Sequence, residues 1–252
     1  MTLFSDPLFC ALALLAVTAL GLGKGGFSGT GMIAAPLLAL VLPPLQAAAI
    51  LIPIMIAQDM ISIWVYRRNW SAWNLKVMLI GSVFGVAAAG VLAAYVSDAF
   101  VQFAVGVIGV AFVLYSTLAH APAQARRPSA ASGIFWGGLA AFTSTIAQAG
   151  APPYQIHILP QKLDRYTLVG TTLIFFAVVN WMKLVPFIWL GQFNTTTLTA
   201  SAVLLPFAIA TNFLGIWLVR RTPTERFYKI AYVLMFLISC ELMRSGLTAI
   251  LS

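Results

Sequence analysis

Ionisable and thiol side chains are scarce in this 252-residue sequence. Charged residues make up 8% of it, and the whole chain holds six acidic residues, two histidines and two cysteines. These few groups are scattered, so the sequence lacks the paired carboxylates, clustered metal ligands and paired thiols that enzymatic, metal and disulfide chemistry require. We therefore expect neither an enzyme nor a metal site nor a cofactor.

Apolar residues, in contrast, are abundant and make up 61% of the chain. Too little polar material remains to cover a water-facing globule, so the composition predicts an integral membrane protein surrounded by lipid. The fourteen basic residues exceed the acidic ones and give a net charge of +8. They fall in small groups between apolar runs and form no contiguous basic face, so we expect no nucleic-acid partner.

Six apolar runs reach the roughly 20 residues that a membrane-spanning helix needs. They are Leu45 to Tyr66, Val77 to Tyr95, Ala99 to Ala119, Tyr166 to Leu190, Thr196 to Val219 and Phe227 to Ile250. Two further apolar regions, Leu8 to Leu42 and Ser132 to Leu159, are interrupted by glycine, proline and polar residues. Each is too long for one span and marginal for two, which predicts two short helices meeting inside the protein.

Lysine and arginine mark the loops that stay in the cytoplasm. They collect in four places: Arg67, Arg68 and Lys76; Arg126 and Arg127; Lys162 and Arg165; and Arg220, Arg221 and Arg226. The alternate connections 43–46, 97–98 and 191–194 carry no lysine or arginine. If each interrupted region enters and leaves on one side, this pattern places both termini on the periplasmic side.

That threading makes the two halves of the chain inverted repeats. Residues 1–119 and 132–252 each hold one interrupted, re-entrant hairpin followed by three spans, and 120–131 form a cytoplasmic linker. The predicted fold is thus all-α with 8 to 10 membrane segments in total. Inverted repeats with broken helices at corresponding places are typical of secondary transporters, whose substrates bind at the breaks. Two pairs of glycines, Gly25 with Gly29 and Gly81 with Gly85, match G-x-x-x-G and predict close helix packing.

Lys24 lies in the middle of the glycine-rich first break. A charged side chain at the bilayer centre costs about 2.5 to 3.5 kcal/mol on insertion scales, so such a residue is a functional candidate. We expect Lys24 to balance the charge of a bound anion, beside backbone N–H groups of Gly25 and Gly26 and the hydroxyls of Ser28 and Thr30. The alternative is that the first helix ends near Gly23 and Lys24 reaches the lipid headgroups.

Small polar residues precede the second break. Gly150 is expected to end one helix, and Pro152 or Pro153 to start the next, because proline at the start of a helix loses no needed N–H. The hydrogen-bonding side chains just before this junction are Thr143, Ser144, Thr145 and Gln148. They are suited to hold the oxygens of an oxyanion, although hydroxyls in membrane helices often bond back to their own backbone.

Asp59 and Lys183 occupy related spans of the two repeats. We expect them to form an ion pair, with Lys24 as a competing partner of Asp59, and Asn180 lies one turn before Lys183 in the same polar stripe. The alternative is a role of Asp59 in proton coupling, since burial raises the pKa of a carboxylate and a nearby ammonium group lowers it.

The two breaks resemble signatures of the sulfite exporter TauE/SafE family, also called the toluene sulfonate uptake permeases. The first match is Gly23-Lys-Gly-Gly-Phe-Ser-Gly-Thr-Gly-Met-Ile-Ala-Ala-Pro, and the second is Phe142-Thr-Ser together with Gly150-Ala-Pro-Pro, where Ala151 replaces a usual glycine. The residues that match are Gly25, Gly26, Gly31, Pro36, Gly150, Pro152 and Pro153. The resemblance implies transport of sulfite, organosulfonates such as sulfoacetate, or related anions across the bacterial inner membrane.

The sequence thus predicts a secondary transporter of a small sulfur-containing anion that works by alternating access, with the anion between the two breaks. Net export is expected to exploit the inside-negative potential, which drives anions outward with about 2.3 kcal/mol per charge per 100 mV. The alternatives are a passive anion channel and an accessory membrane subunit that transports nothing. Assembly into a homo-oligomer is compatible with the sequence.

Overall fold

The regular elements of the protein are helices. A computed structural model describes residues 3–27, 30–42, 44–92, 95, 97–118, 129–189 and 193–251, and every regular element in these ranges is helical, as the sequence predicts. Three of them are short 3₁₀ turns, Leu3–Ser5, Thr30–Ile33 and Leu159–Gln161. The α-helices are α1 (Pro7–Gly25), α2 (Ala34–Ala39), α3 (Pro44–Tyr66), α4 (Ala72–Leu92), α5 (Asp98–Leu118), α6 (Ala130–Ala147), α7 (Ala151–Ile158), α8 (Arg165–Trp189), α9 (Thr195–Arg221) and α10 (Thr224–Leu251).

Five helices in the described part of the chain are long and apolar enough to cross a membrane. The crossing segments are Pro7–Gly25, Gln46–Tyr66, Ala72–Leu92, Arg165–Val185 and Thr195–Arg221. Four of them coincide with predicted spans. The helices α5 and α10 lie at the other two predicted spans, and their crossing stays a prediction, as do the total of 8 to 10 segments and the inverted repeats.

The first interrupted region is less symmetric than the sequence predicts. Its first helix, α1, has 19 residues and is long enough to cross alone, whereas α2 has only six. The expectation of two short helices is therefore wrong for α1. The helix continues through both glycines because each allows a close contact, Gly21 with Thr211 of α9 and Gly23 with Gly31 of the following 3₁₀ turn. These contacts offset the low helix propensity of glycine.

The chain divides into two compact units, each built from both halves of the sequence. The first unit comprises Met1–Arg68 and Thr172–Pro223, and the second unit comprises Asn69–Thr171 and Thr224–Ser252. The division of the sequence into repeats 1–119 and 132–252 concerns the order of elements and stays a prediction.

In the first unit, α1 packs closely against α9. A Cβ atom added to Gly25 would lie 2.5 Å from the Cα of Gly215, and one added to Gly21 would overlap the side chain of Thr211. Alanines on α1, such as Ala13 and Ala16, are fully buried in the same apolar core. This close approach fixes the position of the C-terminal end of α1, where Lys24 lies.

In the second unit, α4 and α6 meet in the same way. A Cβ atom on Gly81 would overlap the carbonyl oxygen of Ile134, and one on Gly85 would overlap the carbonyl oxygen of Gly138. The predicted close packing at Gly81 and Gly85 is therefore confirmed, whereas Gly29 of the other predicted pair lies outside the described residues. Side chains at these positions would force the two helices apart.

Candidate functional site

The first break begins where α1 ends, directly after Lys24. Gly26 has φ 133°, a conformation that side-chain-bearing residues rarely adopt, and its N–H donates to the carbonyl of Gly23 at 3.1 Å. The N–H of Phe27 donates to the carbonyl of Leu22 at 3.1 Å. These two bonds form a Schellman motif, which ends the helix and uses the Gly26 N–H that the sequence analysis assigned to an anion. Anion contacts of Gly25 and Gly26 stay a prediction.

Hydroxyl groups of α3 cover the carbonyl groups at this helix end. Ser62 Oγ donates to the carbonyl of Lys24 at 2.7 Å, and Tyr66 Oη donates to the carbonyl of Gly25 at 3.1 Å. The last carbonyls of a helix have no partner within it, so these bonds satisfy groups that would otherwise be buried and unpaired. They also hold the Lys24 backbone against α3.

The Lys24 side chain is buried in the first unit and forms an ion pair. Its Nζ lies 2.5 Å from Oδ1 of Asp59, and the other carboxylate oxygen, Oδ2, accepts a hydrogen bond of 2.8 Å from Asn180 Nδ2. Lys24 is 8% exposed, Asp59 0% and Asn180 3%. The structure therefore places these three predicted residues together, from α1, α3 and α8, and gives the Lys24 ammonium a carboxylate partner inside the protein.

Lys183 completes this group of charges. It is fully buried and interacts electrostatically with both Lys24 and Asp59. The salt bridge of Asp59 is made with Lys24, the residue predicted as the competing partner, rather than with Lys183. We call Lys24, Asp59, Asn180 and Lys183 the charged cluster. Two ammonium groups and one carboxylate give it a formal charge of +1 when all three are ionised.

Two polar residues beside the charged cluster were not predicted to take part in the site. Gln58 Nε2 donates to the carbonyl of Ala208 at 2.7 Å, and Asn212 Nδ2 donates to the carbonyl of Gln58 at 3.1 Å, which ties α3 to α9. Among the described residues the Gln58 side-chain oxygen has no hydrogen-bond partner, although it is fully buried. The signal in the sequence was the spacing of Gln58, Ser62 and Tyr66, which puts one polar side chain per turn on a face of α3.

The second break differs from its prediction in detail. The helix α6 ends at Ala147, and Gln148 adopts the left-handed conformation with φ 54°, so Gly150 does not end α6. Gly150 is the N-cap of α7, which begins at Ala151 with Pro152 in its first turn. The N–H of Ala149 donates to the carbonyl of Thr143 at 3.1 Å. A glutamine thus takes the turn that the sequence suggested for glycine.

The threonine hydroxyls near both breaks donate to backbone carbonyls. Thr143 Oγ1 donates to Leu139 at 2.9 Å and Thr145 Oγ1 to Ala141 at 2.7 Å, while Thr30 Oγ1 donates to Ala19 at 3.0 Å. This is the alternative that the sequence left open for hydroxyls in membrane helices. Ser144 is buried and Gln148 half-buried, and both make interactions of their own. Ser28 lies outside the described residues.

The second unit contains a buried polar group that the sequence did not predict. The side-chain amides of Asn74 and Gln161 pair reciprocally, with N–O distances of 2.9 and 3.0 Å. His157 Nε2 lies 3.1 Å from Asn74 Oδ1, and its Nδ1 lies 3.0 Å from Ser132 Oγ. We call these residues the neutral cluster. Because Asn74 Oδ1 can only accept, Nε2 carries the imidazole proton and the Ser132 hydroxyl donates to Nδ1.

The break after Lys24 belongs to the first unit and the break before Gly150 to the second unit. The predicted convergence of both breaks on one anion stays a prediction. Within the first unit, the observed candidate site is the charged cluster.

Comparison with known proteins identifies a family. The sequence model of the family described as Sulfite exporter TauE/SafE matches residues 12–242. Searches of curated proteins and of solved structures gave no match. The matched range includes both breaks and all residues of the charged and neutral clusters.

Proposed function

Because the chain belongs to the sulfite exporter TauE/SafE family, we propose that it exports sulfite or an organosulfonate such as sulfoacetate from the cytoplasm. The family consists of membrane transporters of sulfur-containing anions such as sulfite and is not enzymatic, and the long apolar helices make this chain a multi-pass membrane protein. We place it in the bacterial inner membrane with both termini in the periplasm, because basic residues collect in alternate loops.

The observation that carries the proposal is the charged cluster. Ionisable side chains are costly within membrane-spanning helices and are retained there chiefly for transport or ion binding. Lys24 and Asp59 lie in two of the apolar crossing segments, and Lys183 lies in a third. An oxyanion at this cluster would compensate the formal charge of +1 and accept hydrogen bonds from ammonium and amide groups.

Alternating access is the mechanism that we propose for moving the anion. Both units hold helices in close contact through glycine, including α1 with α9 in the first unit and α4 with α6 in the second unit. Small-residue packing of this kind lets helices approach closely enough to move along one another. As further contacts to the anion we propose the residues nominated at the breaks, which are Gly25, Gly26, Ser28, Thr30, Thr143, Ser144, Thr145, Gln148, Gly150 and Pro152.

Transport is tested with purified protein in liposomes that contain radiolabelled sulfite, sulfoacetate or thiosulfate. We expect efflux that saturates with substrate concentration, because a carrier has a limited number of sites. Efflux that stays linear in concentration would identify a passive channel instead. If none of the three anions leaves these liposomes faster than it leaves protein-free liposomes, the chain is not the transporter proposed here. An accessory membrane subunit is then the remaining function.

The site is tested by a double variant, Lys24→Met with Asp59→Asn, which removes one charge of each sign. We expect sulfite binding to weaken roughly tenfold or more, since a hydrogen bond to a charged group contributes about 1.5–3 kcal/mol. The matched control is Lys76→Met, because Lys76 is an exposed lysine at the start of α4. Equal sulfite affinity in the double variant and the control would remove the charged cluster from the binding site.

A further inference from the structure

The charged cluster contains an odd number of ionisable side chains. Lys24, Asp59 and Lys183 are 8%, 0% and 0% exposed, and each interacts electrostatically with the other two. Asp59 is held on both carboxylate oxygens, by the Lys24 ammonium group and by the Asn180 amide. The carboxylate therefore balances the charge of one ammonium group. The cluster as a whole becomes neutral only if an anion is added or if the second ammonium group loses a proton.

The other titratable residues of the first unit lie away from this charge excess. On α1, Asp6 caps the first turn and Cys10 donates to the carbonyl of Phe4, at the end opposite Lys24. On α3, Tyr66 binds the carbonyl of Gly25, and Arg67 and Arg68 follow the end of the helix. Arg220 and Arg221 are in the last turn of α9. Among the described residues of this unit, Asp59 is thus the only acidic side chain that faces the two lysines.

We propose that the charged cluster takes up one proton with each anion, and that Lys183 is the residue that accepts it. This inference rests on the proposed function of the cluster as an anion site. Without an anion, Lys24 and Asp59 neutralise each other and Lys183 is a neutral amine, because no second carboxylate among the described residues of this unit balances the charge of a second buried ammonium group. A bound oxyanion supplies the compensating charge, and the lone pair of the Lys183 nitrogen then binds a proton from water.

The loaded cluster then holds two cations and two anions, so the transported unit is electrically neutral. The membrane potential consequently does not drive this step, in contrast to the expectation from the sequence, and the direction follows the gradients of the anion and of pH. Proton and anion must increase each other's affinity by the same factor. In the alkaline range, where the free cluster lacks the proton, anion affinity should fall tenfold for each pH unit.

The direct test counts protons. Methanesulfonate is titrated into purified protein in weakly buffered detergent solution with a pH indicator, and its affinity is measured in parallel at pH values from 6 to 9. Methanesulfonate is the anion of a strong acid, so it carries no proton of its own at these pH values. We expect up to one proton to be taken up per methanesulfonate bound, with the affinity decreasing toward high pH.

Variants assign the proton to Lys183. In Lys183→Arg the guanidinium is permanently charged, so methanesulfonate should bind with an affinity independent of pH and without proton uptake. In Lys183→Met, which lacks a titratable group, binding should be weaker and also independent of pH. Lys76→Met, which changes an exposed lysine, should keep the proton uptake of the unmodified protein. Proton uptake that persists in both Lys183 variants would overturn the assignment.

Failure of this inference differs from failure of the proposed function. Methanesulfonate binding without proton uptake at any pH would overturn the proton coupling and leave the anion site intact. Absence of binding for methanesulfonate, sulfite and thiosulfate alike would overturn the anion site and the coupling together. In liposomes, methanesulfonate efflux that changes when a potassium gradient and valinomycin impose a membrane potential would also contradict the electroneutral step.

Discussion

Each compact unit contains one buried polar cluster, and the two clusters differ in kind. In the first unit, Lys24, Asp59 and Lys183 bring three ionisable groups together, and their formal charges do not cancel. In the second unit, Asn74 and Gln161 form a reciprocal amide pair that His157 and Ser132 extend without an ion pair. A neutral cluster of this kind satisfies itself and holds helices together. The charged cluster has a formal excess of one positive charge, which an external anion can neutralise.

The largest expected effect comes from removing only the carboxylate of the charged cluster. Asp59→Ala leaves the ammonium group of Lys24 buried without its carboxylate partner, which should destabilise the protein by about 3–5 kcal/mol. The double variant Lys24→Met with Asp59→Asn should recover most of this stability but not the sulfite affinity. Thermal unfolding in detergent measures the stability of both variants. If the double variant is as unstable as Asp59→Ala, the charge argument is wrong.

A smaller effect is expected in the neutral cluster. Gln161→Leu removes both hydrogen bonds that join the buried side-chain amides of Asn74 and Gln161, which should lower the free energy of unfolding by about 1–3 kcal/mol. Sulfite affinity should stay within about twofold of the unmodified protein, because this cluster serves packing. A loss of affinity as large as that of the Lys24→Met and Asp59→Asn variant would mean that both clusters bind the anion.

Removal of one α3 hydroxyl that binds the end of α1 should lower the free energy of unfolding by a smaller amount. Ser62→Ala takes away the donor to the Lys24 carbonyl, with an expected loss of about 1 kcal/mol in stability. The control is Ser239→Ala in α10, because the buried Ser239 hydroxyl has no hydrogen-bond partner among the described residues. Urea or thermal unfolding should therefore show a decrease for Ser62→Ala only. Equal decreases for the two variants would indicate that the hydrogen bond of Ser62 does not stabilise the end of α1.

The smallest effect concerns an exposed carboxylate outside both clusters. Asp164 Oδ1 accepts hydrogen bonds of 3.1 Å from the N–H groups of Tyr166 and Thr167, at the start of α8. Burial would raise the pKa of Asp164, but the hydrogen bonds from Thr167 and Tyr166 outweigh this effect and lower the pKa below its ordinary value of 3.8. The bound carboxylate therefore stabilises the protein above pH 3.8, and this contribution is lost as the pH falls through the lowered pKa.

Asp164→Ala should cost about 1 kcal/mol near neutral pH, and Asp164→Asn should retain most of the cap. Thermal unfolding at pH 7 and at pH 3 measures both. A difference between Asp164→Ala and the unmodified protein that is as large at pH 3 as at pH 7 would contradict the assigned role. Asp164 titrates far below pH 6, so it does not disturb the proton counts proposed for Lys183.

Much of the fold follows from composition and from the length of the apolar runs. The helices α3, α8 and α9 lie within two residues of their predicted bounds, because a run of about 20 apolar residues bounded by polar ones leaves few alternatives. The end of α1 was harder to predict. Gly21 and Gly23 looked like interruptions. Gly21 packs against Thr211 in α9, nearly 200 residues later, and Gly23 packs against Gly31, and these contacts explain why the helix continues through both glycines.

The candidate site was predicted in part for a similar reason. Lys24, Asp59, Asn180 and Lys183 stand out because ionisable and amide side chains are rare in apolar runs. The sequence did not show which lysine pairs with Asp59, because that choice depends on how α1, α3 and α8 pack. The neutral cluster was missed altogether: Asn74, Gln161 and Ser132 lie near predicted loops, where polar residues are ordinary and carry no signal.

The glycine that closes α1 has a consequence for the register of the whole helix. At φ 133° the backbone of Gly26 accepts no ordinary side chain, so the last turn of α1 is fixed to one position in the sequence. Each residue added to a helix turns it by about 100° and lengthens it by about 1.5 Å. An insertion of one residue between Gly21 and Lys24 would therefore rotate either Gly21 away from Thr211 in α9 or Lys24 away from Asp59.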